Sequence, residues 1–151
     1  MINIRSKDEP VGRMAKLMAG IFYFMAKEMI DKLGEDKGKE AIREAVTKFG
    51  ELRAENMKEE AVERGLKINA ETYAKVKDMP SISWESDPHN PGDITYCPMH
   101  DMWKQLNGED IGALYCEIDK ILYDKFNIEF ERPLCKTAGD KCCRFVVKDK
   151  R

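Results

Sequence analysis

The sequence predicts an α+β fold in which an N-terminal helical layer packs on a small antiparallel sheet built from two hairpins with two intervening helices. Two observations predict it. Apolar residues recur at helical spacing through residues 1–80, whereas residues 81–151 contain four short strand-like segments and all the cysteines. A chain of 151 residues with no linker-like stretch is long enough for one core. We therefore predict a single domain over 1–151.

The helical layer is predicted to contain three helices. A capping box at Ser6 and Glu9 starts the first helix, and Gly34 ends it. Its apolar stripe is expected to face the core and comprises Met14, Leu17, Met18, Ile21, Met25 and Leu33. A second amphipathic helix follows, and Asn69 caps a short third helix over 70–79.

The remaining half alternates strands with helices. Residues 81–97 are predicted to form a hairpin around a turn rich in Pro and Gly, and Pro98 starts a short helix. A longer helix is expected over 110–126. Two further strands, 128–134 and 142–148, complete the second hairpin.

Composition and charge exclude several classes of function. A net charge of −2, without a basic block, argues against a nucleic-acid partner. Charged residues near the N-terminus argue against a secretory signal, and the longest apolar run, six residues over 21–26, is too short for a bilayer that needs ~20. We therefore expect a cytoplasmic protein without a membrane partner that binds a small-molecule substrate or ligand; self-association as a homo-oligomer is left open.

The cysteines are the most informative residues. They are Cys97, Cys116, Cys135, Cys142 and Cys143. An odd number of cysteines without a CxxC pair argues against a disulfide framework and against a zinc ribbon. Free cysteines also pack as small apolar residues, so simple burial is the alternative to a chemical role.

One face of the 110–126 helix combines four reactive or charged groups. Asp119, Lys120 and Tyr123 follow Cys116 by three, four and seven residues and therefore share its side of the helix. This face is either a solvated surface or the wall of a cleft. In a cleft, Lys120 would favour a thiolate at Cys116, while Asp119 would oppose it or orient a proton donor.

A metal site is the second hypothesis. Cys97 and His100 lie at a strand end and a helix start, three residues apart. Together with Cys116 and Cys143 they form a candidate ligand set for one zinc or iron ion. The alternative is a site without a cofactor, in which the helix start lowers the pKa of the Cys97 thiol.

The C-terminal third contains a series of short motifs in a fixed order. They are Tyr96-Cys97-Pro98, Trp103, Gly108, Cys116-Glu117-Ile118-Asp119, Phe126-Asn127 and Gly139-Asp140-Lys141-Cys142-Cys143-Arg144-Phe145. This series resembles the L-2-amino-thiazoline-4-carboxylic acid hydrolase family. The resemblance covers about residues 96–145 and selects Cys143, not Cys142, as the patterned cysteine, leaving Cys135 outside the pattern. The last of these motifs is also similar to the end of vinyl-reductase-type small-molecule-binding domains.

The resemblance implies a hydrolase that opens a cyclic 2-amino-thiazoline with water to give N-carbamoyl-L-cysteine. Cys116 is then the expected nucleophile, with Asp119 as general acid/base and Cys97 as the competing nucleophile. Backbone N–H groups after Pro98 are expected to receive the substrate carboxylate. The other candidate substrate-binding residues are Tyr96, Trp103, Lys120, Tyr123 and Cys143. A metal-bound water is the alternative nucleophile, and a non-catalytic sensor domain is the alternative function.

Overall fold

The computed structural model describes residues 1–4 and 9–151. In the order of the chain, the elements are helices α1 (Pro10–Leu33), α2 (Glu35–Glu63) and α3 (Ala70–Val76), strands β1 (Glu85–Asp87) and β2 (Asn90–Tyr96), helices α4 (Pro98–Gln105), α5 (Glu109–Cys116) and α6 (Ile118–Lys125), and strands β3 (Ile128–Leu134) and β4 (Cys143–Asp149). A 3₁₀ turn over Lys136–Ala138 lies between β3 and β4. The predicted α+β class is confirmed.

The four strands form one antiparallel sheet in the order β1-β2-β4-β3. The two predicted hairpins are therefore its two halves, and the β2–β4 pairing joins them, with Ile94 opposite Cys143. Next to this pair, the Arg144 guanidinium donates two hydrogen bonds of 2.7 Å to the Asp93 carboxylate. This ion pair lowers the pKa of Asp93 and links the two hairpins.

Most of the apolar stripe predicted for α1 does not face the core, although Met18 is partly buried and packs against it. Met14, Ile21 and Met25 are 63%, 58% and 60% exposed, and the other large residues of the stripe are also exposed or only partly buried. The buried face consists mainly of small residues, namely Gly12, Ala15, Ala19, Gly20 and Ala26, with Lys16. Small side chains let the neighbouring helices approach α1 closely, and this packing outweighs the pattern of large apolar residues.

The ends of the N-terminal helices agree in part with the prediction. Ser6, the expected cap of α1, lies outside the described residues; the Glu9 carboxylate caps α1 by accepting hydrogen bonds from the N–H groups of Val11 and Gly12. The predicted Asn69 cap is confirmed, since its side chain accepts from the N–H of Thr72 at 2.9 Å. Helix α3 ends at Val76, three residues earlier than predicted.

The helix predicted over 110–126 is two helices, so three helices rather than two separate the hairpins. Glu117 separates α5 from α6. The break coincides with a side-chain hydrogen bond, because Arg132 of β3 donates to the carbonyl oxygen of Cys116 at 2.9 Å. A side chain from outside the helix thus donates a hydrogen bond to a backbone carbonyl oxygen at the end of α5.

The main core lies between α1, α2, α4, α5 and α6. Trp103 of α4 is 1% exposed, and its indole N–H donates to the carbonyl oxygen of Ala19 at 3.0 Å. A smaller apolar cluster around Phe126 and Ile128 connects α2, α3 and α6 to the sheet. Within the described ranges, no helix combines the length and the apolar character needed to cross a membrane.

Candidate functional site

A cavity of about 430 Å³ lies where the helices meet the sheet. Its size falls within the range of small-molecule sites. The ring side chains in its wall are Tyr73, Trp84, Trp103, Tyr115, Tyr123 and Phe145. The thiols and charged groups in its wall are Cys97, Cys116, Cys143, Arg53, Lys77, Asp78, Asp119 and Arg132. The cavity thus combines an apolar wall with a limited set of reactive and charged groups.

The predicted face of the 110–126 segment contributes three of its four groups to this cavity. Cys116, Asp119 and Tyr123 line it, whereas Lys120 is exposed and lies outside the lining. Asp119 and Tyr123 are four residues apart in α6 and share a face, whereas Lys120 follows Asp119 by one residue and lies about 100° around the helix from it. The proposed influence of Lys120 on the Cys116 thiol therefore has no geometric support.

The cation beside the reactive face is instead Arg132. Its Nη1 lies 2.7 Å from Asp119 Oδ2, and these two side chains are only 15% and 27% exposed. The Arg132 guanidinium also lies 5.7 Å from the ring centre of Phe145. Loss of hydration raises the pKa of Asp119, and the positive charge of Arg132 opposes that rise. Asp119 is thus a carboxyl group with a raised pKa, held in place by one arginine.

Three cysteine side chains lie together beside Asp119. The Cys135 thiol is placed to accept hydrogen bonds from the thiols of Cys116 and Cys143, and its sulfur lies 2.9 Å from the Thr137 hydroxyl oxygen. The hydrogen bonds from Cys116 and Cys143 lower the pKa of Cys135 far below its usual range. The same hydrogen bonds, with burial, raise the pKa of Cys116 and of Cys143. Among the three thiols, Cys135 is therefore the one whose pKa is lowered.

The β3–β4 connection explains how Cys135 is positioned. Gly139 has φ +95°, a conformation that residues with a Cβ rarely adopt. The next residue, Asp140, accepts a hydrogen bond of 2.9 Å from the backbone N–H of Cys135. The backbone N–H of Lys136 donates to the Cys143 sulfur at 3.3 Å. The Gly-Asp motif thus shapes the loop that brings Cys135 to Cys143.

Cys97 lines the cavity, but the other residues of its motif have different roles. Burial raises the pKa of the Cys97 thiol, and the backbone N–H groups of His100 and Met99 oppose that rise only in part. His100 Nε2 lies 2.5 Å from Glu109 Oε1. Those N–H groups lie next to the Cys97 sulfur, and the anion site expected after Pro98 stays a prediction.

The proposed metal ligands do not form one set. His100 is paired with Glu109 and lies outside the cavity lining, away from Cys116 and Cys143. Among the described residues, no three His, Cys, Asp or Glu side chains are arranged to hold a metal ion. We therefore derive no chemical step through zinc or iron.

The two aromatic residues of the motif are split between the cavity and the surrounding structure. Trp103 lines the cavity while packing in the core. Tyr96 lies outside the lining, and its hydroxyl donates to Asp101 at 3.4 Å. Of the two adjacent cysteines, Cys143 lines the cavity, whereas Cys142 is 2% exposed and lies outside the lining.

Sequence reasoning missed Arg132, Lys77 and the role of Cys135. A signal for Arg132 was present, because every second residue of β3 is turned away from solvent and Arg132 occupies one of those positions. A charged residue on the inward side of a strand indicates a buried partner. No comparable local signal marks Lys77 or Cys135, whose partners come from other segments or from a turn.

Of the comparisons with known proteins, the one with family models found a match. No curated protein and no solved structure matches the chain. The family model for L-2-amino-thiazoline-4-carboxylic acid hydrolase matches residues 14–147, which includes all the cavity residues named above. Because the match spans most of the 151 residues, the chain belongs to the L-2-amino-thiazoline-4-carboxylic acid hydrolase family.

Proposed function

We propose that this protein is a hydrolase that opens a cyclic amidine of the 2-amino-thiazoline-4-carboxylate type by attack at the amidine carbon and cleavage of the ring C–S bond. The observation that carries the proposal is the group formed by Cys116, Cys135 and Asp119 at one cavity. Cys116 and Asp119 line that cavity, and Cys116 is hydrogen-bonded to Cys135. Membership of the hydrolase family supports the same substrate class.

Cys116 is the proposed nucleophile, and Cys135 is the proposed acceptor of its proton. In the first step, the Cys116 sulfur forms a bond to the amidine carbon while its S–H proton moves to the Cys135 thiolate. The ring C–S bond then breaks, and the departing sulfur takes that proton from Cys135. The substrate is left as an isothiourea on Cys116, and its own thiol is free. The raised pKa of Cys116 and the lowered pKa of Cys135 oppose this transfer in the resting site, so the proton moves only as the bond to the amidine carbon forms, and the same difference favours its later delivery to the departing sulfur.

Water completes the reaction with Asp119 as acid and base. Asp119 accepts one proton from the attacking water and delivers it to the amidine nitrogen. The carbon–Cys116 bond then breaks, and the hydroxyl proton leaves with the Cys116 sulfur while the carbonyl of the product forms. The sum is substrate plus water giving N-carbamoyl-cysteine, with all three groups returned to their starting states. The raised pKa of Asp119 suits a group that must both accept and donate a proton.

The test is turnover of L-2-amino-thiazoline-4-carboxylate, followed by mass spectrometry of the product and by release of free thiol. We expect product from the wild-type protein and at least a hundredfold loss of kcat in Cys116→Ser, because a serine hydroxyl is a far weaker nucleophile at neutral pH. Cys142→Ser is the matched control, since Cys142 is buried outside the cavity lining. Full activity of Cys116→Ser would refute the nucleophile. Tight ligand binding with no product from the wild-type protein would favour the non-catalytic sensor role instead.

A further inference from the structure

We infer that Lys77, together with Ser81, binds the carboxylate of the substrate at the rim of the cavity. This inference rests on the proposed function, because it concerns how the same cavity holds an anionic cyclic amidine. Both residues line the cavity and both are exposed. The Lys77 ammonium is hydrogen-bonded to the Ser81 hydroxyl, so the two donors lie side by side.

The cations of the cavity wall outnumber its carboxylates. The wall contains three cations, Arg53, Lys77 and Arg132, and two carboxylates, Asp78 and Asp119. Each carboxylate is paired with an arginine. Lys77 is therefore the cation of the wall that is left without a matching carboxylate, and a monocarboxylate ligand would supply one.

Both arginines are already engaged. Arg53 donates two hydrogen bonds to Asp78, at 2.8 Å from Nε and 2.6 Å from Nη2. Arg132 is paired with Asp119 at 2.7 Å. Within the described part of the chain, Lys77 has no carboxylate within ion-pair distance. A substrate carboxylate therefore meets a free partner at Lys77 and would have to displace an existing ion pair at either arginine.

The rim of the cavity and the reactive groups belong to different elements of the fold. Lys77 directly follows α3 and Ser81 begins the segment before β1, whereas Cys116 ends α5. The backbone N–H of Trp84 donates to the Ser81 carbonyl oxygen at 2.9 Å, which fixes the turn that presents the Ser81 hydroxyl. The anchor and the nucleophile thus belong to different elements that border one cavity. A ligand held at the rim by its carboxylate extends its ring into the apolar interior.

The experiment compares two ligands and three variants. The ligands are L-2-amino-thiazoline-4-carboxylate and 2-amino-2-thiazoline, which lacks the carboxylate. We expect Lys77→Met to raise KM about tenfold for the carboxylated compound, with kcat nearly unchanged, because one charge-assisted contact is lost at an exposed site. We expect no change for the compound that lacks the carboxylate, and most of the affinity for the carboxylated compound to be retained in Lys77→Arg. Lys75→Met is the control, since Lys75 lies on the same helix but pairs with Glu71 outside the cavity lining.

Two kinetic outcomes would overturn the inference. An equal effect of Lys77→Met on both compounds would show a general structural role, and no effect on either would place the carboxylate elsewhere. If the wild-type protein turns over neither compound, the proposed function fails. Calorimetric binding of the same two compounds then tests whether Lys77 binds the carboxylate. Selective weakening of the carboxylated compound in Lys77→Met would support the anchor. Equal binding by the wild-type and variant proteins, or no binding by the wild type, would refute it.

Discussion

Asp119 on α6 is held by Arg132 on β3 through an ion pair of 2.7 Å. The same guanidinium donates to the carbonyl oxygen of Cys116 at 2.9 Å. One side chain from the sheet thus fixes both the carboxylate and the backbone of the thiol that we propose for the reaction. Because both groups are already held in place, less entropy is lost when the transition state forms.

Replacing Asp119 by Asn should lower kcat by about 10²–10⁴-fold, because an amide neither accepts nor donates the proton that the water step needs. Asp124→Asn is the matched control on the same helix, since Asp124 is exposed and pairs with Lys150. Steady-state kinetics at saturating substrate measure the effect, and circular dichroism checks that both variants are folded. Wild-type kcat in Asp119→Asn would remove Asp119 from the mechanism.

Alkylation of Cys135 should persist at low pH. Hydrogen bonds from Cys116 and Cys143 lower the pKa of the Cys135 thiol, and thiolate is present above a pKa and lost as the pH falls through it. An ordinary thiol loses reactivity roughly tenfold per pH unit below ~8.5. We therefore expect similar rates of modification of Cys135 by iodoacetamide at pH 6 and pH 8, measured by peptide mass spectrometry.

The two thiols that donate to Cys135 can be replaced one at a time to test this prediction. Cys116→Ala and Cys143→Ala each remove one hydrogen bond to the Cys135 sulfur, so each should raise the pKa of Cys135 and make its alkylation fall more steeply at low pH. Cys142→Ala should leave the profile unchanged, because Cys142 is buried on the other side of the strand. A steep profile in the wild-type protein would mean that Cys135 is an ordinary thiol.

Local periodicity predicted part of the site and could not predict the rest. Cys116, Asp119 and Tyr123 were identified because a helical repeat places such residues on one face. Lys120 belongs to the same repeat but is exposed outside the cavity lining, because it lies about 100° around α6 from Asp119. The cation that pairs with Asp119 is Arg132, which lies in β3 and is distant in sequence, so the segment alone could not indicate it.

For helix α1, too, periodicity in the sequence predicted the helix but not which of its faces is buried. Its large apolar residues, such as Met14 and Ile21, are exposed, while Ala15, Ala19 and Ala26 are buried. Helical spacing correctly predicted a helix in this segment. Which side is buried depends on how closely the partner helices approach, and the partner side chains that decide this, including Met102 and Trp103, lie in α4.

Replacing Gly112 by Ala should destabilise the protein even though the residue lies inside a helix. Helix propensity alone predicts a gain of about 1 kcal/mol. A Cβ at Gly112, however, would lie 2.3 Å from Cδ2 of the buried Trp103, and overpacking of this kind costs about 1–3 kcal/mol. We expect a net loss, measured by denaturant unfolding.

Gly20→Ala is the control for that loss. A Cβ at Gly20 would meet only the flexible end of Met102, at 3.2 Å. The side chain of Met102 is able to adjust, so this variant should be close to neutral or slightly stabilised. A gain in stability for Gly112→Ala would show that the Trp103 ring moves at little cost.

Asn127 should tolerate Gly but not Ala, because the backbone at this residue is left-handed, with φ 58°. Asn127 connects α6 to β3, and its carbonyl oxygen accepts a hydrogen bond of 2.8 Å from the N–H of Lys150. A residue with an ordinary Cβ pays about 1 kcal/mol in this conformation, whereas Gly does not. We expect Asn127→Ala to lower Tm by about 2–4 °C and Asn127→Gly to change it little.

The control for the Asn127 pair is Asn56→Ala on α2, where an exposed Asn donates to the Leu52 carbonyl oxygen. Ala has the higher helix propensity, so this variant should match or exceed the wild-type Tm. Equal losses in Asn127→Ala and Asn127→Gly would point to the amide side chain as the source of stability. A loss confined to Asn127→Ala identifies the left-handed backbone as the reason that the Phe-Asn motif ends in Asn, since Asn tolerates this conformation better than most residues with a side chain.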